Sequence, residues 1–152
     1  MAQELFTAYS KFSEAILEVN AYVADVFANH EKLKAYSTQQ LQTLRIIKKN
    51  PSISQSEIAD IQGVFKTAIS NRIRKLEQDG LIAILTNQDL RKKAISITQK
   101  GTELLVVSET VIFENLNDLL AERFTGDEII KFTSQLDEIV HCLKMEKDGD
   151  AQ

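Results

Sequence analysis

The sequence predicts a mostly helical protein with one small two-stranded sheet, an α+β arrangement dominated by helices. Its 152 residues include one proline and five glycines. These are too few for a strand-rich sandwich, which needs turn residues about every 8 to 12 positions. Apolar repeats with helical spacing occur near both ends of the chain. A chain of this length buries roughly 70% of its unfolded surface, so we expect an ordinary core without disulfides or structural metal.

The first helix is predicted from an apolar repeat within residues 1–30. The repeat steps by three and four positions, which places its members on one face: Leu5, Tyr9, Phe12, Ile16, Val19, Val23 and Val26. Such a face needs a partner along its length. We therefore expect a helix within residues 1–36 that packs against a partner along this face.

Two capping boxes predict the starts of two short helices in the middle of the chain. Ser37 with Gln40, and Ser54 with Glu57, have the spacing in which hydroxyl and side chain satisfy each other's backbone N–H groups. The first of these helices should stop at Asn50-Pro51. The second should close at Gly63, because glycine readily adopts the left-handed conformation that ends a helix.

A third short helix, from about Lys66 to Asp79, is expected to close at Gly80 and to precede a β-hairpin. The segments LIAILT and AISIT read as its strands, with the charged tip NQDLRKK between them. Helix, glycine turn, helix and hairpin, in this order, predict a winged helix-turn-helix core over residues 37–98.

The phase of the third short helix predicts which of its faces is exposed. At about 100° per residue, Ile69, Ile73 and Leu76 share one stripe. The opposite face and its flanks carry side chains that bind base edges and phosphates: Thr67, Ser70, Asn71, Arg74, Lys75 and Gln78. No acid precedes Glu77 in this helix, so we interpret it as a recognition helix rather than a generic solvated one.

The last part of the chain, residues 99–152, is predicted to form two long helices. Leu104, Val107, Val111, Leu116 and Leu119 lie on the first, and a capping box of Thr125 with Glu128 starts the second. We expect both helices to carry apolar faces that need partners. The main apolar positions of the first and the last helix are Leu5, Tyr9, Phe12, Ile16, Val19, Ile129, Phe132, Leu136, Ile139 and Leu143.

Charge is distributed unevenly along the chain. Residues 40–100 hold 11 basic and 5 acidic side chains, a net +6, whereas residues 1–39 carry −2 and residues 101–152 carry −8. Phosphate contacts act locally. A net charge of −4 for the whole chain is therefore compatible with one DNA-binding face.

These segments resemble the MarR family of regulators across nearly the whole chain. The resemblance is carried by YSTQQLQTL at 36–44, SQSEIADIQGVFKTAISNRIRKLEQDGLI at 54–82 and DLRKKAISITQKG at 89–101. It implies a dimer held by the first helix, residues 1–36, and the last two helices, residues 99–152, with the main apolar residues of the first and last helix at the interface. It also implies that an Asp and an Arg of the wing act together, here Asp89 and Arg91, the arginine entering the minor groove. The full set of expected DNA-binding residues is Ser37, Thr38, Ser54, Gln55, Lys66, Thr67, Ser70, Asn71, Arg74, Lys75, Asp89, Arg91, Lys92 and Lys93.

The chain departs from the family pattern in the recognition helix and the wing. Phe65 stands where a small hydroxyl residue is usual, so the helix should lack its side-chain cap. Arg72 replaces an apolar residue, and we expect it to pair with an acid such as Asp60 or to reach a phosphate. In the wing, Leu90 replaces a second arginine.

Little in the sequence indicates catalysis or metal binding. No glycine-rich phosphate loop, nucleophile elbow or spaced His and carboxylate set occurs, so we expect no enzyme and no cofactor. His30 is far from His141, and His141 and Cys142 point about 100° apart on a helix, which disfavours a metal site. We expect Cys142 in a core or interface. Without an export signal or an apolar run of about 18 residues, the expected location is the cytoplasm, with no membrane partner.

The sequence therefore predicts a regulator that binds double-stranded operator DNA as a homodimer. We expect a repressor on a near-palindromic operator, released by a small-molecule effector that shifts the spacing of two recognition helices. Two alternatives stay open. One is a winged-helix protein-interaction module without specific DNA binding, and the other is a regulator that responds to no ligand.

Overall fold

The computed structural model describes residues 1–86 and 93–149. They form two compact units, Met1–Ile112 and Phe113–Gln152. The described elements are α1 (Ala2–Ala28), α2 (Thr38–Lys49), α3 (Gln55–Gln62), α4 (Lys66–Gln78), β1 (Ile82–Thr86), β2 (Lys93–Ile97), α5 (Gln99–Leu120) and α6 (Gly126–Gly149). This confirms the predicted order of elements and the mostly helical class with a two-stranded sheet.

The predicted helix boundaries around α2 and α3 are confirmed by their caps. The Ser37 and Ser54 hydroxyls accept hydrogen bonds from the backbone N–H of Gln40 at 3.1 Å and of Glu57 at 3.2 Å, and both capping boxes are reciprocal. Gly63 closes α3 with φ 64°, a left-handed conformation that costs glycine little. This turn leads from α3 to α4, and the two helices contact each other.

The hairpin pairs β1 with β2 in antiparallel register, with Ile82 opposite Ile97 and Thr86 opposite Lys93. A further bridge extends this sheet: the Ile95 N–H donates to the Ile53 carbonyl at 2.9 Å. This bridge joins the segment before α3 to the hairpin. The alternation of apolar residues in the sequence did not predict this bridge.

The core of the first unit contains two clusters of buried residues. The larger one joins α2, α3, α4, the hairpin and α5: Leu44, Ile47, Ile53, Ile58, Ala59, Ile69, Ile73, Leu76, Leu81, Ile82, Ile95 and Leu105. The smaller one consists of Phe27, Leu33 and Leu41. Tyr36 and Leu104 pack against both clusters. These two side chains therefore connect the helix-turn-helix core to the end of α1.

The apolar repeat of α1 divides into two parts. Val23 and Val26 pack with Phe27 in the smaller cluster. The earlier members of the repeat are all exposed in the isolated chain: Leu5, Tyr9, Phe12, Ile16 and Val19. Only the last turns of α1 are thus used by the core of its own unit.

In the second unit, the capping box that was predicted to start α6 is present. The Thr125 N–H donates to Glu128 Oε2 at 2.8 Å, and the Glu128 N–H donates to Thr125 Oγ1 at 3.3 Å. No residue of α6 is buried. Within the described residues, no helix has the length and apolarity needed to cross a membrane.

Candidate nucleic-acid interface

The orientation of α4 is determined by its buried stripe. Ile69, Ile73 and Leu76 are 0, 4 and 0% exposed, as the helical phase predicted. Burying side chains of this size contributes about 1.5 to 3 kcal/mol each, which holds the helix against rotation. The opposite face of α4 therefore points outward in a defined direction.

The predicted recognition residues lie on that outward face. Lys66, Thr67, Asn71 and Arg74 are exposed, and Ser70 is half-buried. The Arg74 guanidinium is 3.5 Å from Asn71 Oδ1, a long hydrogen bond between neighbouring turns. No acidic side chain occurs in the first turn of α4. We name this set of five residues the α4 outer face.

Lys75, which was also expected to contact DNA, is half-buried and engaged within the chain. Its ammonium lies 3.1 Å from Asp79 Oδ2 and 5.7 Å from the centre of the Tyr36 ring. Surface pairs of this type are weak, at about 0 to 1 kcal/mol, so Lys75 can leave Asp79. Its contact with DNA stays a prediction.

The four expected contact residues at the starts of α2 and α3 are partly committed to local structure. Ser37 and Ser54 use their hydroxyls as caps. Thr38 Oγ1 donates to Gln39 Oε1 at 3.2 Å, and Gln55 Nε2 donates to the Lys66 carbonyl at 3.4 Å. Through this last bond the N-terminal end of α3 contacts the first turn of α4.

Of the expected wing residues, the structure describes Lys93. It is exposed and opens β2 opposite Thr86. Asp89, Arg91 and Lys92 lie outside the described residues, so their roles stay predictions.

Two features of this region were missed or only partly predicted. Arg72 Nη1 donates to Gln62 Oε1 at 3.1 Å, and the same oxygen lies 2.8 Å from the hydroxyl of fully buried Thr43. Gln62, and not an acid such as Asp60, is thus the partner that the structure gives Arg72. Phe65 caps α4 without a side-chain hydrogen bond, as expected, but its ring is 87% exposed.

A third feature, which the sequence did not predict, is a polar cluster at the C-terminal end of α4. The Tyr36 hydroxyl donates to Asp79 Oδ2 at 2.8 Å, and Lys100 Nζ donates to the Asp79 carbonyl at 2.7 Å. The Tyr36 hydrogen bond, followed by Lys75, lowers the pKa of Asp79. Burial, followed by the Asp79 carboxylate, raises the pKa of Tyr36 to about 12. Both shifts widen the pH range over which Tyr36 is neutral while Asp79 is ionised.

The expected interface residues are exposed or half-buried on their own helices. In α6 the exposed members are Ile129, Phe132, Ile139 and Leu143, and Leu136 is half-buried. Cys142 is exposed, so it is not a core residue. Among the residues the structure describes, no group of three His, Cys, Asp or Glu side chains is placed to hold a metal ion.

A buried apolar stripe, a polar and basic outer face, and an adjoining hairpin define a DNA-binding winged helix-turn-helix protein. The family model described as winged helix-turn-helix DNA-binding matches residues 37–83. The HTH-type transcriptional regulator YdgG of Bacillus subtilis is 34% identical over 121 residues, 78% of this chain and 79% of that protein.

Two further comparisons extend this likeness. The homoprotocatechuate degradative operon repressor of Escherichia coli is 26% identical over 127 residues, 83% of this chain and 85% of that protein. The crystal structure of MarR superposes with a TM-score of 0.74 and 23% identity, covering 89% of this chain and 93% of that one. The chain belongs to the MarR family and is a transcriptional regulator with a winged helix-turn-helix DNA-binding domain.

Proposed function

We propose that this protein is a homodimeric repressor that binds a near-palindromic operator with α4 in the major groove. The observation that carries the proposal is the polarity of α4. Its apolar side is buried in the core, and its opposite side exposes Thr67, Asn71 and Arg74. No acidic residue precedes Glu77 in this helix. A helix with this division of residues can be inserted into a groove lined by hydrogen-bonding base edges.

Within this proposal the expected contact residues have different tasks. Arg74 suits guanine, whose O6 and N7 accept a bidentate pair, and Asn71 suits adenine. Lys66 and Lys93, both exposed, would bind phosphates. Arg91 would extend from the wing towards the minor groove, where negative potential attracts arginine.

The exposed apolar residues of α1 and α6 support the proposed dimer. Leu5, Tyr9, Phe12, Phe132 and Leu143 are each more than 40% exposed in the isolated chain, although burial of such side chains is strongly favourable. We assign residues 1–36 and 99–152 to dimerisation and residues 37–98 to DNA. A two-fold dimer then presents two copies of α4 to half-sites about 10 base pairs apart.

Repression and its control form the finer part of the proposal. The E. coli relative is named as an operon repressor, which favours repression here, in the cytoplasm where the operator DNA lies. A cleft of about 340 Å³ is lined by Lys32, Tyr36, Leu81, Lys100, Glu103, Leu104 and Val107, a volume within the range of small-molecule sites. An effector there would lie beside the Tyr36 ring and could shift the population of α4 positions.

The test is selection from a randomised duplex library with the purified protein, followed by titration of the enriched duplex at increasing salt. The proposal predicts an enriched motif with two related halves, and an affinity that falls steeply with salt as counterions are released. A scrambled duplex serves as the control.

Failure to enrich any motif, or binding that does not depend on salt, would instead support the protein-interaction module. The exposed Phe65 ring is the observation that favours this second candidate. If the protein binds an enriched motif and no small molecule changes that binding, the result would support the regulator that responds to no ligand.

A further inference from the structure

Phe65 is an apolar side chain at a position where solvent exposure is costly. It occupies the N-cap of α4, its ring is 87% exposed, and its side chain makes no capping hydrogen bond. Its carbonyl accepts from the Ala68 N–H at 3.0 Å, so the backbone at this residue is fixed by the first turn of the helix. The ring is therefore held outside the core at a defined place.

The surroundings of Phe65 on α4 match nucleic acid better than an apolar protein surface. Lys66 and Thr67, which follow directly, are both exposed, and the first turn of α4 carries no acid. A basic and hydroxyl-bearing surface around one aromatic ring is complementary to a phosphate-lined groove with a local apolar group.

We propose that Phe65 is a specificity-determining residue that packs against the 5-methyl group of a thymine in the major groove. This inference rests on the proposed function, in which α4 enters that groove. Recognition helices contact base edges with their N-terminal residues. The thymine methyl group is the apolar feature of the major-groove edges, and phenylalanine is one of the side chains that contact it.

The contact differs in kind from those assigned to Asn71 and Arg74. A phenyl ring neither donates nor accepts a conventional hydrogen bond, so it cannot bind a phosphate as a hydroxyl side chain does. It gains free energy only where an apolar surface meets it. Phe65 thus selects thymine over cytosine and over uracil, which lacks the methyl group.

The test compares the wild type with Phe65→Ser and Phe65→Leu in the selection from randomised duplex, followed by binding to duplexes in which single thymines are replaced by deoxyuridine. We expect the wild type to enrich a thymine at one position in each half-site. Deoxyuridine there should weaken wild-type binding about fourfold per half-site, the effect of one buried methyl-sized group. Phe65→Leu should keep the preference, and Phe65→Ser should lose it.

Asn71→Ala is the matched control, because it should change the preference at another base pair and keep the thymine. Because Phe65 is exposed, Phe65→Leu should melt at the wild-type temperature. Phe65→Ser should melt at that temperature or above it, because serine is a favoured N-cap residue. The inference is overturned if Phe65→Ser enriches the same thymine, or if deoxyuridine weakens the binding of wild type and variant by the same factor. The exposed ring would then be assigned to a protein contact. If the wild type enriches no motif, the proposed function itself fails.

Discussion

The Tyr36 hydroxyl donates a 2.8 Å hydrogen bond to Asp79 Oδ2, across 43 residues of sequence. Tyr36 precedes α2 and packs against both buried clusters, and Asp79 is the C-cap of α4. Lys75 and Lys100 also bond to Asp79. The C-terminal end of the proposed recognition helix is therefore anchored to the part of the core that contains the end of α1.

Replacing Tyr36 by Phe should lower the free energy of unfolding by about 0.5 to 1.5 kcal/mol, because one hydrogen bond is lost while the ring still packs. Urea unfolding followed by circular dichroism measures the change. Tyr22→Phe is the control, since Tyr22 is half-buried on α1 and does not belong to the proposed interface residues, and it should leave stability unchanged. Equal effects of both substitutions would show that the hydrogen bond contributes nothing.

The same hydrogen bond predicts how stability depends on pH. The pKa of Asp79 is lowered, chiefly by Tyr36, so its contribution is present above the ordinary carboxyl pKa and is lost as pH falls through the lowered value. The pKa of Tyr36 is raised to about 12, chiefly by burial, so that contribution is complete below about pH 10 and is lost as pH rises through about 12.

The stability difference between wild type and Tyr36→Phe should therefore stay constant from about pH 5 to 9 and shrink in acid, below the ordinary carboxyl pKa. Ultraviolet titration of the three tyrosines should show one that ionises late and that is absent from the variant. A difference that persists unchanged at low pH would exclude Asp79 as the partner.

Gly101 should not tolerate a side chain. A Cβ atom there would overlap the Leu81 carbonyl and lie 2.8 Å from Ile97 Cγ1, and a backbone group cannot move aside as a side-chain end can. We expect Gly101→Ala to destabilise the protein by about 1 to 3 kcal/mol or more. Thermal melting measures this. Gly126→Ala is the matched control, because nothing lies within 4 Å of its Cβ position, and its melting temperature should not fall.

The dimer proposal predicts the effect of a charge in the exposed apolar face of α1. Phe12→Asp should convert the dimer to monomer or unfold it, because an unpaired carboxylate would be buried in the interface. Sedimentation velocity distinguishes the dimer from the monomer. Lys11→Asp, a charge reversal at the neighbouring exposed position, should perturb assembly much less. A stable Phe12→Asp dimer would remove α1 from the interface.

Local signals predicted most of this fold. Capping boxes located the starts of α2, α3 and α6, and the phase of α4 correctly placed Ile69 and Ile73 in the core. These features depend on residues only a few positions apart, within reach of one helical turn.

Long-range relationships could not be predicted in the same way. The Ile53–Ile95 bridge and the Tyr36–Asp79 hydrogen bond each join distant parts of the chain. A single bridge leaves no alternating pattern, and a tyrosine that precedes a helix does not indicate its partner. Periodicity also could not show that Val23 serves the core of its own unit while Leu5 stays exposed, since both lie on one stripe.

The central claim is that the α4 outer face reads DNA sequence, and Arg74 tests it most directly. The measurement is the ratio of affinities for the enriched duplex and a scrambled duplex at one salt concentration, for wild type and Arg74→Ala. Glu77→Gln, an exposed α4 substitution, is the control. Loss of a base contact should reduce the free-energy difference that corresponds to this ratio by roughly 1 to 3 kcal/mol, and it should relax the preference at one base pair. An unchanged ratio and an unchanged preference in Arg74→Ala would contradict the placement of the recognition surface.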